Sequence, residues 1–251
     1  MRRIHRLSIA FLLLLAIAPA APAAPAPVPA PPADVPGGTA PARPPAPRCR
    51  HRHGELLRPL VILAAGGVAT AWSHDEESPA AARDFLDHSD LDEFADAGNV
   101  YGDGLVLGGL SLGALAVGRW RDSPALAALG GDLCETFLAS SGAVWALKVA
   151  VARRRPSGGP HSFPSGHTAT AFAVVPVLAH HLGWKAAVPA ALMAACTGLG
   201  RMEEFRHYQS DVFFGAALGL ACGEVVAGPG FLPGRALPVV VPGGVGVGLS
   251  F

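Results

Sequence analysis

The chain has 251 residues, enough for one sizeable domain with appendages, and its formal net charge is zero. That balance gives no basis for nucleic-acid binding or for a strongly charged partner, so both classes are set aside. Hydrophobic residues make up 51% of the chain and charged residues only 15%, with a mean hydropathy of +0.37. This composition is more apolar than that of an ordinary soluble domain and points to a membrane.

Residues 1–20 have the pattern of an export signal. Three arginines within the first six residues precede an apolar run over residues 7–18, and small residues follow. The run is short for a membrane span, but alanine continues past any cleavage point, so an uncleaved N-terminal anchor stays as the alternative. Residues 21–54 are rich in Pro and Ala and predict an extended, semi-rigid tether outside the fold.

The segment 55–230 is predicted to be a helical domain, followed by a tail rich in Gly, Pro and Val over residues 231–251. Its apolar stretches predict six core helices, at about 57–73, 104–120, 125–154, 167–182, 185–199 and 211–227. The acidic segment 74–103 has an amphipathic middle and is predicted to form helices beside the main bundle. The tail is predicted to be an irregular or edge segment.

The predicted fold class is therefore all-α, a helical bundle of about six core helices embedded in a membrane or associated with one. Several stretches have only about 15 to 17 residues, which is near the lower limit for crossing a bilayer core and also suits buried helices. Both arrangements stay open. Asp132 and Glu135 inside the third stretch favour a protein interior or a wet cavity over contact with lipid.

Two polar motifs follow one another across the third and fourth predicted helices. Lys148 lies seven residues before Arg155, so a helix through both, favoured to end at Arg155 by Pro156, puts the two cations on one face. Ser165 and Gly166 precede an apolar helix, where free N–H groups and close backbone approach suit a phosphate. Taken singly, the first motif also fits a basic cluster beside a membrane helix and the second an ordinary N-cap.

A third motif lies between the last two predicted helices. Arg201 is followed by His207 and Asp211 at spacings of six and ten residues. On a helix, the Asp211 carboxylate can reach one ring nitrogen of His207, fix its tautomer and leave the other nitrogen as a nucleophile. Arg201 can chelate phosphate oxygens from the preceding turn. A lone pair of this kind is mostly a surface pair, but the ordered combination of three motifs favours phosphoryl transfer through a histidine.

Together the motifs resemble those of the type 2 phosphatidic acid phosphatase and vanadium haloperoxidase superfamily. Residues 148–156 fit K-x6-R-P, residues 164–167 fit P-S-G-H, and residues 200–211 fit S-R-x5-H-x3-D, except that Gly200 replaces the serine. The resemblance covers about residues 57–226. It implies a helical bundle, with six spans in the membrane members and the site at one membrane face.

The resemblance also implies a role for each motif residue. His207 is expected to be the nucleophile, Asp211 its orienting partner, and His167 the acid that protonates the leaving group. The residues expected to bind the substrate phosphate are Lys148, Arg155, Ser165, Gly166 and Arg201.

The predicted function is metal-independent hydrolysis of a phosphomonoester or pyrophosphate, with a lipid phosphate as the first candidate, through a phosphohistidine and without a cofactor. Three alternatives stay open: a soluble periplasmic acid phosphatase of broad specificity, a vanadate-dependent haloperoxidase, and a catalytically silent membrane protein. Alternating spans would gather the three motifs on one side of the membrane, and the periplasmic side is favoured.

Cysteine usage adds little to this prediction. Cys49 lies beside two histidines, but further ligands are missing, so no metal site is predicted. Cys134, Cys196 and Cys222 lie singly in apolar segments and are predicted to be small buried hydrophobes. A disulfide between Cys196 and Cys222 would be allowed in an oxidising compartment.

Overall fold

The computed structural model describes residues 57–89, 91–228, 235–241 and 244–250. Within these ranges the chain forms eight helices and two strands. The helices are α1 Leu57–Ala71, α2 Ser78–Asp87, α3 Asp92–Tyr101, α4 Gly104–Trp120, α5 Pro124–Val151, α6 Gly166–Leu182, α7 Trp184–Glu203 and α8 Gln209–Ala227. The strands are β1 Arg235–Val241 and β2 Gly244–Ser250. The signal or anchor and the tether predicted for residues 1–54 lie outside the described residues.

The predicted all-α helical bundle is confirmed. The six core helices are α1 and α4 to α8, and the acidic segment between the first two supplies the short helices α2 and α3. Of the two alternatives predicted for the tail, the irregular segment was wrong, because β1 and β2 pair as a regular antiparallel hairpin, with Arg235 opposite Ser250 and Val241 opposite Gly244. Each strand of this two-stranded sheet is an edge strand.

The end of α5 also differs from the prediction. The helix stops at Val151 instead of continuing to Arg155, and Ala152 adopts a left-handed conformation with φ of 47°. The Ala152 N–H caps the helix by donating to the Lys148 carbonyl at 3.0 Å. The three arginines that follow therefore lie in a loop, where they can point in different directions instead of sharing a helix face.

Helix α8 lies at the centre of the bundle, between α1 and α6. Gly215, Gly219 and Gly223 recur every four residues and let its backbone lie directly on α6. A Cβ at Gly215 would stand 2.7 Å from the Ser165 carbonyl oxygen, and one at Gly219 would overlap the carbonyl of Ala169. This close packing fixes the start of α6 against the start of α8.

Some of the helices have the length and apolar character of membrane spans. α5 and α8 are long and apolar enough to cross a membrane, and α3 with α4 would make a third span bent by 57°. Few residues of α5 are fully buried, and Leu138, Trp145 and Val149 are exposed on it, which is the surface expected of a helix against lipid. These features support a membrane location.

The interior location predicted for Asp132 in α5 is confirmed, because its side chain is buried in the bundle. Its carboxylate lies 2.8 Å from Nε2 of His181 at the end of α6. The side chains are only 4% and 17% exposed, respectively, so this pair is a contact inside the bundle between α5 and α6. His180 beside it is exposed.

The packing of α8 on α6 can be tested with Gly219→Ala. We expect the added methyl group to push against the α6 backbone, so the variant loses about 1–3 kcal/mol of unfolding free energy despite the higher helix propensity of alanine. The measurement is the Tm of the detergent-solubilised protein.

The matched control is Gly113→Ala on α4, where a Cβ meets nothing within 4 Å. We expect this variant to keep or slightly raise the Tm because it has only the propensity gain. Equal Tm values for the two variants would contradict backbone-to-backbone packing at Gly219.

Candidate active site

The loops and helix ends at one end of the bundle bring the three motifs together. Lys148 lies in the last turn of α5, and its Nζ donates to the His161 carbonyl at 2.7 Å. Arg155 lies in the following loop, where its Nε donates to the Pro160 carbonyl at 3.0 Å. Lys148 and Arg155 therefore share one site. The spacing predicted a continuous helix through both, but Arg155 reaches the site from a loop.

The start of α6 forms the floor of this site. The Ser165 N–H donates to the Asp211 carbonyl at 2.9 Å, and its hydroxyl is 2.8 Å from that of Thr168. A Cβ at Gly166 would stand 3.9 Å from Cε of Lys148, so the lysine side chain passes close to the first turn of α6. A helix N-terminus beside a cation provides N–H groups and positive charge for an anion.

Arg201 approaches from the last turn of α7. It is 7% exposed, and its guanidinium lies 2.9 Å from the Glu204 carboxylate, while its buried Nε has no hydrogen-bond partner among the described residues. His167, in the first turn of α6, has its Nε2 3.7 Å from the Asp103 carboxylate. Asp103 also caps α4 by accepting from the Leu105 N–H at 2.8 Å. The α3–α4 joint thus borders the site.

His207 lies in the loop before α8, not on the helix with Asp211. It is 3% exposed, and its Nδ1 stands 3.7 Å from Oδ2 of Asp211. This separation is too long for a hydrogen bond, and Nδ1 has no hydrogen-bond partner among the described residues. The Asp211 carboxylate instead accepts from the Ser162 hydroxyl and from the Tyr208 N–H at 2.9 Å.

The electrostatics of the site keep both histidines neutral near neutral pH. Burial lowers the pKa of His207 below its usual 6.5, and Lys148 adds to this effect, while Asp211 opposes it. Burial, followed by the charge of Arg201, lowers the pKa of His167 to about 4. A neutral His207 has a free ring lone pair and can act as a nucleophile.

Sequence reasoning missed a second layer of residues behind Asp211. Arg153 donates to the Asp211 carboxylate at 2.9 Å and to that of Asp75 at 2.8 Å. The run of three arginines was visible, but only Arg155 matched a motif. Asp75 lies 78 residues before Arg153 and has no motif around it, so the sequence contained no signal for this contact.

An apolar cavity of about 270 Å³ adjoins the site. Its lining includes Lys148 and His167 as well as Val144, Trp145 and Gly104. Because Trp145 is exposed on α5, the cavity extends from the charged site to the exposed apolar face of that helix.

Among the residues described, no group of three or more His, Cys, Asp or Glu side chains could hold a metal ion. Cys134, Cys196 and Cys222 are free thiols and partly buried, so the allowed Cys196–Cys222 disulfide is not formed. Cys49 lies outside the described residues.

Comparison with known proteins gives consistent matches. Residues 129–227 match the family model of the PAP2 superfamily. The chain is similar to the lipid A 1-phosphatase of Porphyromonas gingivalis, with 41% identity over 88 residues, 34% of this chain and 20% of that protein. It is also similar to the probable diacylglycerol pyrophosphate phosphatase 1 of Schizosaccharomyces pombe, with 37% identity over 82 residues, 27% of this chain and 29% of that protein. The matches span less than a third of either relative.

Among solved structures, the crystal structure of Aquifex aeolicus LpxE is similar in fold. It has a TM-score of 0.51 and 26% sequence identity, and the match covers 62% of this chain and 95% of that chain. The alignment therefore spans nearly the whole of that neighbour's chain.

The low pKa of His167 leads to a prediction about anion binding. At about pH 6 the free side chain is neutral, because its pKa of about 4 lies below the pH. Inorganic phosphate bound beside Arg201 would offset the positive charge there and raise the pKa of His167, so we expect binding to take up a proton. Calorimetric titration in buffers of different ionisation enthalpy measures this uptake.

The same titration with His167→Gln isolates the contribution of this side chain, because changes in the protonation of phosphate itself occur with both proteins. We expect His167→Gln to take up fewer protons when phosphate binds. The control His88→Gln, which changes an exposed histidine, is expected to take up as many as the unmodified protein. Equal uptake in all three proteins would show that His167 does not gain a proton on binding.

Proposed function

We propose, from the match of residues 129–227 to the PAP2 superfamily model, that the chain is a member of that superfamily and a metal-independent phosphatase that forms a phosphohistidine on His207. The observation that carries the proposal is the set of cations around a buried His207. Lys148 and Arg155 are close enough to lower its pKa, its backbone N–H donates to the Arg201 carbonyl at 3.2 Å, and the Asp211 carboxylate lies 3.7 Å from its Nδ1. Three cations can neutralise the charge of a transferring phosphoryl group, the role that metal ions have in other phosphatases.

The geometry supports a two-step reaction. His167 takes up a proton when the phosphate binds. The Nε2 atom of His207 then bonds to phosphorus while the bond to the leaving oxygen breaks, and His167 donates that proton to the leaving oxygen. Water then attacks the phosphohistidine and gives a proton to His167, and the nitrogen–phosphorus bond breaks. Asp211, on the Nδ1 side of His207, stabilises the positive charge that the imidazole gains in the first step.

A lipid phosphate is the proposed substrate class. The apolar cavity beside Lys148 and His167 reaches Trp145 on the exposed face of α5, so an acyl chain could leave the site toward the membrane. Both curated relatives have names that refer to phosphatases of lipids, which supports the same class here. A pyrophosphate bond is included because the second of these names refers to one.

We further propose that the active-site end lies on the periplasmic side. The support is the export-signal pattern of residues 1–20, which indicates that the chain reaches the cell envelope. Six true spans after a cleaved signal would put the site in the cytoplasm, so this placement requires that the N-terminal run stays in the inner leaflet or that some short helices pack without spanning.

The nucleophile is tested with His207→Ala. We expect this variant to fold and to lose turnover by about three orders of magnitude or more, because no phosphoenzyme can form without the imidazole. The assay follows phosphate release from phosphatidic acid and diacylglycerol pyrophosphate in mixed micelles and from a soluble aryl phosphate. Radiolabelled substrate, quenched in alkali, traps the acid-labile phosphohistidine.

His88→Ala is the matched control, since its side chain is exposed and distant in sequence from all three motifs. It is expected to keep both activity and label. Near-normal turnover in His207→Ala would overturn the mechanism, and a preference for the soluble ester over both lipids would overturn the substrate class.

Metal independence is tested with chelators. We expect EDTA to leave activity largely intact, because cationic side chains provide the charge neutralisation, and orthovanadate to inhibit competitively as a mimic of the transferring phosphoryl group. A large loss of activity in EDTA that a divalent cation restores would contradict this part of the proposal.

A further inference from the structure

We propose that Arg153 and Asp75 form a positioning pair that holds the Asp211 carboxylate in place behind the nucleophile. This inference rests on the proposed function, in which Asp211 acts on His207. Neither residue touches the phosphate site in the structure, so both act through Asp211.

Arg153 bridges two carboxylates with its two terminal nitrogens. Nη1 donates to Oδ1 of Asp211 at 2.9 Å and to the Ser210 hydroxyl at 2.7 Å, while Nη2 donates to Oδ2 of Asp75 at 2.8 Å. The guanidinium also lies over the ring of Tyr208, 4.1 Å from its centroid. These contacts fix the plane of the guanidinium, and therefore fix the carboxylate that it binds.

Asp75 attaches this bridge to the start of α8. It lies in the link between α1 and α2, and its two carboxylate oxygens accept from Ser210 as well as from Arg153. The Ser210 N–H donates at 2.9 Å and the Ser210 hydroxyl at 2.6 Å. The adjoining residues of the link bind there too, because the His74 N–H donates to the Gln209 side chain at 3.2 Å.

The arrangement leaves the Asp211 carboxylate little freedom. Its Oδ1 is held by Arg153, and its Oδ2 by the Ser162 hydroxyl and the Tyr208 N–H. A fully buried carboxylate needs such partners, because an unpaired charge in the interior is costly. Arg153 is the one cation in contact with it among the described residues.

The pair also sets the charge that His207 experiences. The groups that act on His207 directly are Asp211, Lys148 and Arg155, with His167 close by. Behind them, the positive charge of Arg153 weakens the influence of Asp211, and the negative charge of Asp75 weakens that of Arg153. Removing one charge of the pair should therefore shift the pKa of His207 in one direction, and removing the other charge should shift it in the opposite direction.

The experiment compares Arg153→Gln and Asp75→Asn. We expect each to lower kcat by about 10- to 100-fold with little change in KM, because the nucleophile is misaligned while the phosphate-binding groups remain. The controls are Arg154→Gln and Glu76→Gln, which remove the same charges from exposed neighbours and are expected to keep normal kcat.

The second readout is the pKa of His207, followed by NMR of protein labelled at its histidine carbons, with His207→Ala to assign the signal. We expect Arg153→Gln to raise this pKa and Asp75→Asn to lower it, each by about one unit. A purely structural role would not produce shifts of opposite sign. Arg153→Lys keeps the charge but cannot bridge both carboxylates, so it is expected to keep the pKa and lose kcat.

Each outcome separates this inference from the proposed function. An inactive unmodified protein would refute the phosphatase proposal, while the NMR titration would still test the positioning pair. Normal kcat in Arg153→Gln and Asp75→Asn, or pKa shifts of the same sign, would overturn the pair in an active enzyme. If Arg153→Gln fails to fold, Arg153→Lys and Asp75→Asn give the decisive comparison.

Discussion

The burial of one carboxylate constrains much of this structure. The Asp211 side chain has no exposed surface, and three groups from two separate segments donate to it: Arg153 and Ser162 from the α5–α6 link, and the Tyr208 N–H from the start of α8. Burying the whole carboxylate without partners would cost several kcal/mol, so losing any one of these donors removes part of the compensation for that cost. The need to satisfy Asp211 therefore joins parts of the chain that also hold the phosphate-binding side chains.

Close helix packing gives this polar network a rigid frame. Because glycines remove the side-chain layer between α6 and α8, the Ser165 carbonyl lies beside Gly215, and the Ser165 N–H can donate to the Asp211 carbonyl at 2.9 Å. The second motif is thus bound through its backbone to the third. Preorganised groups of this kind stabilise developing charge without having to move during the reaction.

Much of the fold could be predicted because apolar runs determine where the core helices form. The helix ends and the polar pairs could not, because they depend on contacts between residues that are distant in the sequence. The six core helices and the meeting of the motifs followed from hydrophobic stretches and their order. The left-handed turn at Ala152 sends Arg153 toward Asp75 instead of along a helix face, and spacing alone cannot show such a turn. The pairing of His181 with Asp132 was missed for a similar reason, since it joins two helices at positions without a motif.

The hydrogen bonding of Arg201 shows why the site favours an anion. One side of its guanidinium is neutralised by Glu204 at 2.9 Å, while its buried Nε has no acceptor among the described residues. An unsatisfied buried donor costs about 1–3 kcal/mol, and a phosphate oxygen placed there would recover that energy on binding. Because Glu204 is partly exposed, its contribution is screened by solvent. The unpaired Nε, more than the ion pair, therefore makes Arg201 suited to an incoming phosphate.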